Sequence, residues 1–527
     1  MPNTEKLLVS IYQAGSYDKA LSLARDLIEC NPVNKLALTI LGASLLKMGQ
    51  ILEALSTFER QISLYPEDGD AHFHLGVTYR LLGRLSEAED HYRIATKLNP
   101  ATPEFHINLG FVLNELKRYR EAVECCEKAI SMGIRQPGIF VNLGNSLRGM
   151  GDYEKALSAY SEAANIDPSS AQAHNNMGTI YFEFGDLLQA ETHYIKSIEL
   201  HKSSKSRISD LAEVYRNLGD IYRYLLRDGD ALSSYQEAFS LDPSGVGCEA
   251  AVWMSIHCYL SFEFPAFRTY LEAAKPLMQE LKERKRTFQI YWLYLDRLKT
   301  WIEKNNARNL PDPAMEKIYC IGDSHSLSSS GVKVFYKRKN YQIISKWIGG
   351  CKQWHLAVEK NNKHKVYFEN VLKNLPCSSV VMISVGEIDC RINEGIIAAS
   401  KKYPNLSLES IATSTVTQFM DYLDKISSRY GLKIILSGVP AVNSANIHFS
   451  RDDLDKLAYV IGLVNSLMCK LSENYGFDFL DLYSMTHSES GVSGGSFHID
   501  SVHLVPAAII EAFEKNLIEN HNYVIEV

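Results

Sequence analysis

Two short stretches of this chain carry side chains suited to covalent chemistry: the turn Gly322-Asp323-Ser324-His325 and, far downstream, Asp500-Ser501-Val502-His503. A serine hydroxyl is a weak nucleophile until a base removes its proton, and an imidazole is the side chain best matched to that task near neutral pH. A carboxylate beside the imidazole can fix its tautomer and stabilise its cationic form. These residue types point to acyl chemistry. His498, Asp500 and His503 also allow a metal-ligand reading, but no second cluster in the sequence completes such a site, and no metal is expected. Neither a phosphate-binding GxxxxGK[ST] run nor a nucleotide fingerprint occurs, so no cofactor is expected.

The elements that must position these residues change character along the chain. From Lys317 onward, apolar runs at 318–321, 343–348, 380–385, 434–436 and 477–482 predict five buried strands. Amphipathic stretches around 351–375, 408–430 and 452–475 predict helices between them. This alternation predicts a parallel sheet covered by helices on both faces, with ligands bound at the carboxyl ends of the strands. Polar punctuation follows every strand. The first leads into Gly322-Asp323-Ser324-His325, the second into Gly349-Gly350, and the third into Gly386-Glu387-Ile388-Asp389-Cys390-Arg391. Gly438-Val439-Pro440 follows the fourth, and a glycine-rich loop leads from the fifth to Asp500 and His503.

In this order the blocks resemble the SGNH (GDSL-like) hydrolase superfamily, whose members carry a GDS nucleophile turn, a glycine, a GxND turn and a C-terminal DxxH. The resemblance covers about residues 316–520. It implies a flavodoxin-like, five-stranded parallel α/β sheet, with Ser324 as nucleophile, His503 as base and Asp500 as the carboxylate that orients it. Backbone amides at Ser324 and the Gly349-Gly350 turn are then the candidate oxyanion donors. One departure stands out: Ile388 occupies the position of the family's asparagine, whose amide is an oxyanion donor. Asp389 is retained, and Arg391 either reaches the oxyanion or pairs with Asp389 or Glu387. Combinations similar to GDSH and GEIDxR occur in SGNH-like proteins of bacterial carbohydrate pathways, which implies an acylated carbohydrate or glycoconjugate as substrate.

The first half of the chain is built differently. Ala20, Ala54, Ala88, Ala122, Ala156 and Ala190 recur at a step of 34 residues, as do Gly42, Gly76, Gly110, Gly144 and Gly178. Each unit reads as two helices around a turn, and Pro32, Pro66, Pro100, Pro168 and Pro243 fall where the second helix must stop. The pattern resembles the tetratricopeptide repeat: a small residue at the eighth position, alanine at the twentieth, and an aromatic at the twenty-fourth (Phe58, Tyr92, Tyr160, Tyr194, Tyr235). Seven units fit, the last displaced by seven residues around 201–206. Two positions before the small residue stand Asn108, Asn142, Asn176 and Asn217. Asparagine is a mediocre helix former, and its amide both donates and accepts. These side chains either hold an extended peptide in the groove or bridge neighbouring helices.

The expected organisation is multidomain: an all-α tetratricopeptide solenoid at 1–245, a helical capping region at 246–313, and the SGNH-like domain at 314–527. With a net charge of −7 and only short basic runs, such as 282–286, nucleic acid is not an expected partner. Ten scattered cysteines without CxxC spacing read as reduced thiols. The start MPNTEKLLVS has no basic-then-apolar leader pattern, and no apolar run is long enough to span a membrane. A cytoplasmic location is expected. The functional expectation is a serine esterase or acyl-transfer enzyme whose repeats recruit a polypeptide or protein; the alternative is an interaction scaffold whose SGNH-like domain binds a ligand without catalysis.

Overall fold

The computed structural model describes residues 2–204, 207–276, 286–305, 310–443, 450–488, 493, 495, 497–500 and 503–518. Lys205, Ser206, most of the basic run at 282–286, much of the glycine-rich loop and Ser501-Val502 lie outside the described residues. Two compact units divide the chain, one ending at Ile180 and the other beginning at Tyr181.

The first unit is a series of helical hairpins, such as Gly69–Leu81 with Leu85–Leu98 and Pro137–Gly149 with Tyr153–Ile166. Helices end two residues before the spaced prolines, at Cys30, Leu64, Leu98 and Ile166. The turn between paired helices needs one left-handed residue, which is why Gly15, Gly49, Gly83 and Gly151 recur there; Lys117 takes the same conformation at φ 61°. The small residues of the repeat exist for the aromatics. A Cβ on Gly42, Gly76 or Gly144 would lie 2.4, 2.7 or 2.5 Å from the ring of Phe58, Tyr92 or Tyr160 of the same hairpin.

The second unit begins with further hairpins. On either side of the displacement the helices Leu187–Ser203 and Ile208–Tyr224 are longer than in the other repeats, at 17 residues each. The region expected only to cap the repeats opens with another hairpin, Val246–Leu260 and Phe264–Ala273, turned at Phe262 with φ 62°. The cap helix Arg286–Lys304 follows. These hairpins pack on the domain that comes after them: Tyr224 meets Tyr367 at 4.8 Å and its carbonyl accepts from the Asn370 amide at 3.2 Å.

That domain holds the strands β1 (Glu316–Gly322), β2 (Lys333–Tyr336), β3 (Lys339–Trp347), β4 (Val380–Ser384), β5 (Lys433–Ser437), β6 (Asp478–Leu480) and β7 (Leu517–Ile518). Their order is β2-β3-β1-β4-β5-β6-β7. The five expected strands are β1, β3, β4, β5 and β6, and each neighbouring pair among them is parallel. The expectation of a five-stranded, all-parallel sheet is corrected: the described sheet has seven strands and is mixed, because β2 and β7 add antiparallel edges. The β2–β3 hairpin turns at Lys337-Arg338, both with positive φ. Such turns are usually announced by Asn-Gly, so nothing in the sequence marked this one.

Alternate residues of the central strands feed two cores. Ile321, Val381 and Ile383 pack with Phe368, Phe419 and Val460 on one face, while Cys320, Val380 and Met382 pack with Ile509 and Phe513 on the other. Leu408–Tyr430 and Arg451–Tyr475 match their expected spans because both ends are marked. Ser407 and Ser450 accept the N-terminal amides, and Gly431 and Gly476 supply left-handed exits. The expected single helix at 351–375 is instead two, Gln353–Ala357 and Lys363–Lys373. Among the described residues, no helix is long and apolar enough to cross a membrane.

Candidate functional site

Chain order changes sides of the sheet at β1, which has β3 on one flank and β4 on the other. Such a reversal opens a crevice at the carboxyl ends of the strands. The register places Gly322 opposite Trp347 and opposite Ser384, so Ser324, Gly349 and Gly386 each stand two residues past one rung. Gly322 permits the close approach: a Cβ there would lie 2.1 Å from the Ser384 carbonyl oxygen. The glycine-rich positions are also conformational, with φ of 72° at Gly350 and 133° at Gly386.

At this crevice Ser324, His503 and Asp500 come together across 179 residues of chain. His503 Nε2 lies 2.8 Å from Ser324 Oγ, and His503 Nδ1 lies 2.7 Å from Asp500 Oδ2. The His503 backbone N–H donates to the other Asp500 oxygen at 2.8 Å, so one carboxylate holds both the residue and its ring. Asn443 Nδ2 in turn donates to the Asp500 carbonyl at 3.2 Å. With Nδ1 protonated toward Asp500, Nε2 is left to accept the serine proton.

A second acid–base pair flanks the serine. His325 Nδ1 lies 3.1 Å from Asp323 Oδ1, which also accepts the His325 N–H at 3.0 Å. Burial works to raise the Asp323 carboxyl, but the His325 imidazole, its hydrogen bonds and the Arg391 charge together bring it below the ordinary range. The His325 and His503 ring centroids are 5.1 Å apart. Asp323, His325 and Glu387 place donor atoms within 4.8 Å of one another, a grouping the sequence did not reveal. Its members are already engaged: His325 with Asp323, and both Glu387 oxygens with Arg391. His498, raised as a metal ligand, has its ring nitrogens against Ser493 Oγ and the Ala441 carbonyl.

The two candidate polar residues of the third turn have positions the sequence left open. Asp389 is buried and accepts the Gln353 N–H at 2.8 Å, tying its turn to the chain just after Gly349-Gly350. Burial raises its carboxyl to about 7, against the pull of the Gln353 and Trp354 amides and Lys352. Arg391 is held by Glu387, with Nε at 3.0 Å from both carboxylate oxygens and Nη2 at 2.7 Å from one. Of its alternatives, the pairing with Glu387 is the one formed. Ile388 is buried, and its side chain offers no donor.

The asparagine ladder is not uniform. Asn108 donates to the Glu104 carbonyl of its own helix at 2.9 Å, and at Asn142 the backbone carbonyl accepts from Ser146 Oγ. Asn176 is buried and donates to Asn145 Oδ1 at 3.2 Å, bridging neighbouring repeats. Asn217 is half-buried on Ile208–Tyr224.

What sequence reasoning missed is the contribution of the cap helix. Tyr294 is fully buried and stacks on the His503 ring at 4.0 Å and 17°. Arg297 Nη1 is 3.9 Å from Asp500 Oδ2, and Tyr291 meets Trp347 edge-on at 5.2 Å. The signal in the sequence is the run of aromatics Tyr291, Trp292, Tyr294 and Trp301, but such a run does not say what it covers. Ser324 and His503 are consequently only 6% and 2% exposed.

Tetratricopeptide repeat models match residues 41–101, 82–137 and 169–244, and a TPR repeat model matches 144–185. The N-terminal hairpins are tetratricopeptide repeats. No curated protein matches the chain in sequence. Among solved structures, the Cut9-Hcn1 hetero-tetramer of APC/C is similar at 16% identity and a TM-score of 0.41, covering 53% of this chain. The chain spans about half of that structure's length, 52%. MamA (41-end) from Desulfovibrio magneticus RS-1 is 23% identical at a TM-score of 0.31, over 33% of this chain and 97% of its own. YrrB, described as a TPR protein with an unusual peptide-binding site, is 21% identical at a TM-score of 0.29, over 36% and 94%.

Proposed function

We propose that the C-terminal domain is a serine hydrolase of the SGNH type that cleaves or transfers an ester-linked acyl group, and that the repeats recruit a polypeptide or protein partner. The observation that carries the reading is the Ser324–His503–Asp500 relay, with its contacts of 2.8 and 2.7 Å at the crevice of the sheet. In the reaction, His503 Nε2 takes the Ser324 proton as Oγ attacks the ester carbonyl. Asp500 stabilises the imidazolium, and the backbone amides of Ser324 and the Gly349-Gly350 turn receive the oxyanion. The alcohol leaves with the proton from His503, and water or a second alcohol resolves the acyl-serine. Resemblance to SGNH proteins of carbohydrate pathways makes an O-acylated carbohydrate or glycoconjugate the proposed substrate. Tetratricopeptide repeats are protein-interaction modules, which supports a peptide or protein as the recruited partner.

A second reading is a scaffold whose C-terminal domain binds without catalysis. The buried, donor-free Ile388 and the low exposure of Ser324 favour it. Active-site fluorophosphonates separate the two readings. The first expects one covalent adduct by intact-protein mass spectrometry, absent in Ser324→Ala, and a fall in ester turnover on the order of 10⁴ to 10⁶ on loss of Ser324 or His503. A folded protein that resists probes of several sizes supports the scaffold.

A further inference from the structure

The cap helix Arg286–Lys304 belongs by sequence to the region closing the repeats, yet its buried stripe lies on the reacting groups. Tyr294 covers one face of the His503 imidazole with nearly parallel rings, 4.0 Å between centroids. One turn later Arg297 approaches the carboxylate that orients the same imidazole, at 3.9 Å. One turn earlier Tyr291 meets Trp347, the last residue of β3 and the register partner of Gly322 at the end of β1. Three contacts at helical spacing therefore converge on the nucleophile turn, the base and its orienting acid. His503 itself stands outside any helix or strand, next to Leu504, whose isolated bridge to His498 closes this turn ahead of the Pro506–Lys515 helix. Backbone alone holds such a ring weakly: rotation about its side-chain bonds would break the contacts to Ser324 and Asp500 together.

We infer that Tyr294 is a positioning residue for His503, so that the relay is competent only while the cap helix is docked on it. The inference rests on the proposed hydrolase reading. Tyr294 neither donates nor accepts a proton in the reaction; its ring plane fixes the imidazole plane. The ring is what matters, so Tyr294→Phe should preserve the function and an aliphatic of similar size should not. A misplacement of the base by about 1 Å is enough for a loss on the order of 100-fold.

The test compares wild type, Tyr294→Phe, Tyr294→Leu and Tyr294→Met in the full chain by fluorophosphonate labelling rate. In parallel, the downfield proton of the His503 Nδ1–H to Asp500 hydrogen bond is followed by one-dimensional NMR, identified by its loss in His503→Gln. Tyr294→Phe should label within about twofold of wild type and keep the downfield proton. The Leu and Met variants, folded by circular dichroism, should label about 10- to 100-fold more slowly, with that proton broadened or lost. Methionine is the fallback should leucine not fold. Wild-type labelling in the Leu or Met variant with the proton intact overturns the inference, as does a loss in Tyr294→Phe equal to that in leucine. If wild type itself is not labelled, the hydrolase reading fails, and the downfield proton alone decides whether Tyr294 fixes the ring.

Discussion

Replacing Asp389 by asparagine should change the pH dependence of stability in one direction. The carboxyl is 1% exposed and burial raises it from 3.8 to about 7, although the amides of Gln353 and Trp354 and the charge of Lys352 favour the ionised form. The folded chain thus holds a proton that the unfolded chain has lost between pH about 4 and pH about 7. Stability falls as pH rises through that window, and the whole cost is present above it. A shift of about three units at about 1.4 kcal/mol each makes that cost on the order of 4 kcal/mol. Asparagine removes the titration. It keeps an acceptor for the Gln353 N–H, but its amide group faces the Trp354 N–H, a pH-independent penalty of about 1 to 3 kcal/mol. Urea unfolding of both proteins between pH 4.5 and 8.5, followed by tryptophan fluorescence, isolates the titrating part because other groups cancel in the difference. Asp389→Asn should be the less stable protein at pH 4.5 and should gain steadily on wild type up to pH 8. A difference that stays flat, or moves the other way, would refute a carboxyl raised by burial.

Two further substitutions test positions where geometry chose between alternatives. Arg391→Lys keeps the charge but gives up the fork on Glu387. It should lower stability by about 1 kcal/mol while fluorophosphonate labelling stays within tenfold of wild type; a hundredfold loss at unchanged melting temperature would return Arg391 to the oxyanion. In the repeats, Asn176→Ala should cost about 1 kcal/mol through its bond to Asn145, and Asn108→Ala less than about half of that, because its amide only returns to its own helix. Equal costs in chemical denaturation would show the ladder to be uniform after all.

Local rules made much of this protein legible. The 34-residue step fixed the hairpins because glycine is needed where an aromatic ring packs at 2.4 to 2.7 Å from a would-be Cβ, as at Gly42 and Gly76, and proline ends five of the seven units. Serine caps and left-handed glycines marked the helices at 408–430 and 451–475. Unbroken apolar runs gave the five central strands, because a strand covered on both faces has no polar side to alternate. Short antiparallel edges escaped, since β2 enters through a Lys-Arg turn without the usual residues and β7 spans two residues. Spacing along a chain also says nothing about what a long side chain grasps. Arg391 was within reach of Asp389, Glu387 or the expected oxyanion position, and only the folded turn set its fork on Glu387. The same limit hid the cap helix. Tyr291, Trp292, Tyr294 and Trp301 read as a run of aromatics in a helical capping region, and that run alone determined that one face would be buried. Which groups it buries was decided by tertiary packing, because contact between residues some 200 positions apart depends on where two distant segments meet and not on either one's local pattern.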